Sequence, residues 1–134
     1  MKKLILLFIL FLGTQMQAQN TPLNKQQTID YIYKLFKETY YFKDIKVDNL
    51  TVENKTLNVN FSSGEKFRFD LSNIDTLILK EEHIDNQFYI YSSLKKNPIL
   101  FHIQTEEDGK RLKKALEHLI EILKTEKSTD PFEE

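Results

Sequence analysis

The hydrophobic period of this chain changes twice, from helical to alternating and back to helical. Ile29, Ile32, Tyr33, Phe36 and Tyr40 recur at helical spacing, and Asn24 followed by Gln27 has the spacing of a capping box. They predict a helix over about residues 25 to 41. From Ile45 onward the period becomes two: Leu57, Val59 and Phe61 alternate with Asn58 and Asn60, and Phe67, Phe69 and Leu71 with Arg68 and Asp70. These read as half-buried strands joined by the turn Ser62-Ser63-Gly64-Glu65. A preceding strand over Ile45 to Val52 carries a break at Asp48-Asn49 and turns back through Glu53 to Thr56.

Three more strand-like runs follow at about residues 75 to 80, 87 to 92 and 98 to 104, separated by the polar segments Glu81 to Asn86 and Ser93 to Pro98. At Thr105 the helical period returns. Leu112, Ala115, Leu116, Leu119, Ile120 and Leu123 fall on one face, and Lys110, Lys113, Lys114, Glu117 and Glu121 on the other. Thr105 and Asp108 have cap spacing, and Glu106, Glu107 and Asp108 put negative charge at the positive end of the helix dipole. The expected fold is therefore α+β: an N-terminal helix, an antiparallel meander of six or seven strands forming a bent sandwich or partly open barrel, and a C-terminal amphipathic helix.

The later strands pose a problem of coverage. Their inward sets would be Leu77 and Leu79, Phe88 and Ile90, and Ile99, Phe101 and Ile103. The opposite face would still carry Ile78, Tyr89, Tyr91, Leu100 and His102, too much apolar surface to leave bare on a monomer. Either the first helix covers it or a ligand or second chain does, with Tyr89 and Tyr91 as anchors and His102 as a polar contact.

The opening residues read as an export signal. Met1-Lys2-Lys3 is a positive start, Leu4 to Leu12 is an unbroken apolar stretch of nine residues, and Ala18 is a small residue before a cut. That stretch is well short of the roughly 17 to 25 residues needed to span a bilayer. The expected organisation is a signal peptide over 1 to 18, one globular domain over 19 to 125 and a flexible tail over 126 to 134. The product would be periplasmic or secreted, with no transmembrane segment after cleavage. Losing Lys2 and Lys3 leaves the mature chain a formal charge of about −3, without the basic footprint that nucleic acid requires. The absence of cysteine removes both a disulfide frame and thiolate chemistry, and leaves no site for a lipoprotein anchor.

Little in the sequence points to catalysis. His83, His102 and His118 lack the spacing of metal ligands, and Glu81-Glu82-His83 reads as a solvated turn. No Gly-x-Ser-x-Gly elbow surrounds any serine, and three glycines, one of them Gly13 in the signal, provide no phosphate-cradling loop. No catalytic residue, metal or cofactor is expected. Lys110, Arg111, Lys113 and Lys114 share their helix surface with Glu117 and Glu121, a mixed solvated face more than a lipid-binding one.

The element order from Ile45 to Lys124, with the helix TEEDGKRLKKALEHLIEILK last, resembles the pleckstrin-homology-like superfold, in which that helix plugs one end of a bent sandwich. The same closing stretch looks like the ending of many small exported bacterial proteins of unknown function. The long preceding helix and the lack of tryptophan in the last helix depart from the pleckstrin-homology pattern. Neither likeness transfers catalytic residues. The expected function is a small exported, non-enzymatic binding or interaction domain for an unknown protein or small ligand. The alternatives are a hydrolase or other enzyme whose site has no sequence signature, and a lipid-binding or cell-envelope structural protein.

Overall fold

A computed structural model describes residues 21–40, 44–74, 76–94 and 98–126. The expected signal peptide over 1 to 18 and the tail beyond 126 lie outside the described residues. Within them the chain is α+β, with the order α1 (Lys25–Thr39), β1 (Val47–Glu53), β2 (Thr56–Phe61), β3 (Lys66–Asp70), β4 (Leu77–Glu82), β5 (Gln87–Ser92), β6 (Pro98–Ile103) and α2 (Glu106–Thr125).

Helix α1 begins where its capping box places it. Asn24 Oδ1 accepts from the Gln27 amide at 2.9 Å, and Gln27 Oε1 accepts from the Asn24 amide at 3.0 Å. Two donors that the helix itself cannot satisfy are thereby paired. Ile29, Ile32, Leu35 and Phe36 form its buried stripe. Tyr33 is half-buried and donates its hydroxyl to the Asp48 carbonyl at 2.7 Å. The helix ends at Thr39; Tyr40 turns extended and forms a bridge to Ile103 in β6.

Strands β1, β2 and β3 form an antiparallel sheet in that order. Asn54 and Lys55, with φ of 48° and 63°, make the turn between β1 and β2, and two successive positive φ values match the twist of a tight hairpin. The break expected at Asp48-Asn49 is a register shift between Val47 and Asn49. Leu57, Val59 and Phe61 point into the core, while Asn58 and Arg68 meet on the outer face at 3.2 Å.

Pairing does not continue from β3 to β4. The strands form two separate three-stranded antiparallel sheets, β1-β2-β3 and β4-β5-β6. The residues after β3 explain the interruption. Leu71 and Ile74 are each 1% exposed, yet an unbroken strand would send residues three apart to opposite faces. Bending the chain lets both enter the core.

Strand β6 departs from simple alternation at two register shifts. Leu100 pairs with Ile90 on the inner face and is fully buried, as is its neighbour Ile99. The expectation that Leu100 lies outward is therefore corrected: one shift turns it inward, and the second restores the order, so that Ile103 is buried as alternation predicts. Helix α2 packs on β4, β5, β6 and α1 through Leu112, Ala115, Leu116, Leu119, Ile120 and Leu123, as its periodicity predicts. Helices and sheets share one hydrophobic core.

Candidate functional site

The outer face of the second sheet is built by register. Ile78 lies opposite Tyr91, Lys80 opposite Tyr89, and Glu82 opposite Gln87. His102 joins them because β6 is bulged there: its φ of 59° is in the left-handed region, and its Nδ1 lies 2.6 Å from Gln87 Oε1. A bulge re-aims a side chain in this way at the cost of local backbone strain. The amide oxygen can only accept, so Nδ1 carries the proton of the imidazole.

Both tyrosines are held at their hydroxyls by carboxylates. Tyr91 donates to Glu82 Oε1 at 2.8 Å, and Tyr89 donates to Asp85 Oδ2 from the β4–β5 turn. Asp85 in turn accepts from the Gln87 amide at 3.1 Å through its other oxygen. The two rings lie side by side with centroids 6.3 Å apart, and His102 is 5.7 Å from Tyr89. On the far side of His102, at 6.0 Å, stands Tyr40, which also contacts Phe61 at 5.0 Å. The aromatic row thus runs from Tyr91 to the core of the first sheet, with Tyr40 as the bridge.

These contacts set the protonation states. Burial, and then the hydrogen bond to Asp85, push the Tyr89 phenol well above its ordinary value. Burial, and then the bond to Glu82, push Tyr91 up to about 12. Burial, and then the charge of Glu65, raise Tyr40 to about 12. The Tyr89 hydroxyl holds the Asp85 carboxyl below the usual range, and burial holds His102 below its ordinary value against the opposing pull of Asp85. At neutral pH the face therefore carries protonated phenols, a neutral imidazole and an ionised Asp85.

Of the residues proposed from sequence, the structure brings Tyr89, Tyr91 and His102 together with Ile78, which is 47% exposed, and removes Leu100. Helix α1 does not lie over this face. It packs on β1 and α2, and Tyr40 at its end reaches His102. From sequence Asp85 reads as a solvated turn carboxylate, Gln87 as an ordinary strand residue and Tyr40 as part of the first helix's apolar stripe, so none of the three was assigned to this face. The first two sit four and two residues before Tyr89 across a turn, a readable signal; Tyr40 arrives through tertiary packing, which leaves none.

The other histidines are apart from this face. His83 lies exposed in the β4–β5 turn, and His118 Nε2 sits 2.7 Å from the Leu23 carbonyl. His118 and Lys114 lie between two open grooves, of about 290 Å³ against Ile74 and Leu77 and of about 330 Å³ against Leu23 and Tyr31. The basic residues of α2 are laced with acids: Lys110 with Glu106, Arg111 with Glu107 and Lys113 with Glu117. Among the described residues no three His, Cys, Asp or Glu side chains form a group that could hold a metal ion, and no helix is long and apolar enough to cross a membrane. Compared with protein-family models, curated proteins and solved structures, the chain matches none.

Proposed function

We propose that this chain is an exported, non-enzymatic binding domain that takes its partner on the outer face of the second sheet, through Tyr89, Tyr91 and His102. The observation that carries the reading is the pair of tyrosines fixed at their hydroxyls by Glu82 and Asp85, with their rings side by side. Rings held in one position lose little freedom when a partner docks, which is why anchored aromatics serve well as contact residues. The element order that resembles the pleckstrin-homology-like superfold agrees with a binding role.

Two features weigh against the alternatives. General acid catalysis beside His102 would need a carboxylate raised towards neutrality, whereas Asp85 is held in the opposite direction. A lipid carrier would need a deep apolar cavity, and both grooves along α2 are open and bordered by Lys114 and His118.

The test is an amide chemical-shift map of the isotopically labelled chain titrated with a soluble envelope extract of the exporting cell. Shifts centred on Ile78, Tyr89, Tyr91 and His102 are expected. Shifts confined to the grooves beside His118, or none at all, would overturn the reading.

A further inference from the structure

Resting on that reading, we infer that the face takes a basic peptide segment, with an arginine or lysine side chain lying against Tyr89 and Tyr91 between Asp85 and Glu82. The first argument is the state of its hydrogen-bonding groups. Both phenol hydrogens are already donated to carboxylates, so the tyrosines offer a partner their ring faces and no donor. Each carboxylate retains lone pairs beyond the one the phenol occupies. What the face lacks is donors, and a guanidinium or ammonium group supplies them.

The second argument is charge. Lys80 stands 3.6 Å from Glu82, which offsets that carboxylate, while among the described residues no cation pairs with Asp85. His102 stands beside Tyr89, its Nδ1 engaged by Gln87, and among the described residues it forms no ion pair with Asp85. The negative ring faces and the uncompensated carboxylate both attract a cation, and a flat guanidinium can stack on a tyrosine while bonding to a carboxylate. Exposed Ile78, opposite Tyr91, provides an apolar shelf for the methylene stem of such a side chain.

The same observations disfavour other occupants. An acidic peptide would meet Asp85 and Glu82 as like charges. A neutral sugar needs donors as well as acceptors on the protein, and around the two tyrosines carboxylates and ring faces outweigh the donors of Gln87 and Lys80. A second copy of the chain would bring the same acidic face against this one.

The experiment uses the chain from Gln19 onward and four probes: acetylated tetra-arginine, tetra-lysine and tetra-glutamate amides, and a neutral glucose oligosaccharide. Binding is followed by amide shifts and calorimetry at low salt. Tetra-arginine is expected to bind most tightly, with shifts at Ile78, Tyr89, Tyr91 and His102, and to weaken as salt rises. Asp85→Asn should weaken it by roughly threefold to tenfold, in line with one exposed charge contact, and Tyr89→Ala with Tyr91→Ala by about tenfold. Glu117→Gln, on a distant surface of α2, should leave it unchanged. Asp85 is exposed, so Asp85→Asn keeps the inference testable even where the alanine pair impairs folding. Equal binding of tetra-arginine by the wild type and Asp85→Asn would overturn the inference. So would tighter binding of tetra-glutamate or of the oligosaccharide at the same residues, although that result would leave the face itself standing as a binding site. No shift at the face with any probe would count against the inference and the proposed function together.

Discussion

Gly109 in α2 offers a test of how the second helix sits on the second sheet. It is buried, and a Cβ there would lie 2.7 Å from Leu79 Cδ1, 3.1 Å from Cδ2 and 3.5 Å from Cγ. Two opposing effects decide the outcome of Gly109→Ala. Replacing glycine inside a helix stabilises by about 1 kcal/mol, because less backbone freedom is lost on folding. Overpacking a filled contact costs about 1 to 3 kcal/mol. Both Leu79 methyl groups approach the new atom, so turning one away does not clear the contact, and Leu79 or the helix must shift. The expected net effect is a destabilisation of about 1 kcal/mol, or roughly 4 °C in Tm for a domain of this size. In a Leu79→Ala background the obstruction is gone, and Gly109→Ala should stabilise by about 0.5 to 1 kcal/mol. Urea midpoints by circular dichroism for the four proteins close the cycle. The same effect of Gly109→Ala in both backgrounds would refute the close approach of α2 to β4.

Three further outcomes are expected. Leu116→Asp, which places a charge at a fully buried position, should cost at least about 3 kcal/mol, whereas Lys113→Ala, losing one surface pair with Glu117, should cost under about 0.5 kcal/mol, as denaturant midpoints will measure. In an alkaline titration followed by tyrosinate absorbance, Tyr40, Tyr89 and Tyr91 should ionise later than an ordinary phenol, and Asp85→Asn should bring Tyr89 forward by removing its acceptor and the nearby charge. The folded His102 binds its proton less readily than the unfolded one. The unfolded state therefore holds more protons between the folded pKa and the ordinary 6.5, and stability should rise with pH across that window and level off above it. Asp85 and the phenols of Tyr89 and Tyr40 face His102, and none changes charge in that window: Asp85 ionises below its ordinary 3.8, and the phenols lose protons only above 10. His102→Asn, a residue that tolerates positive φ, should flatten the slope in urea titrations run from about pH 5.5 to 7.5, one unit either side of the ordinary histidine value; an unchanged slope would show that another group is responsible.

The helices were legible in the sequence because their signals are local. Asn24 and Gln27 cap α1 through bonds spanning three residues, and the α2 face from Leu112 to Leu123 follows from helical geometry alone. The hairpins were legible for the same reason: Ser62 to Glu65 and Glu53 to Thr56 are turns whose chemistry lies within the turn itself. Tyr89, Tyr91 and Ile78 could be assigned to one face because β4 and β5 alternate without a shift. Local pattern reaches its limit wherever the count slips. The first slip in β6 turns Leu100 inward, and the second returns His102 to the outer face beside Tyr89, so each exchanges the two faces only as far as the next. The division into two sheets depends on Leu71 and Ile74 reaching the same core, which no window of sequence specifies. The position of Tyr40 against His102 is likewise decided only when α1 chooses β1 and α2 over the second sheet. An amphipathic stripe states that a helix must bury one face; which surface receives it depends on the shape and remaining apolar area of the whole assembled core.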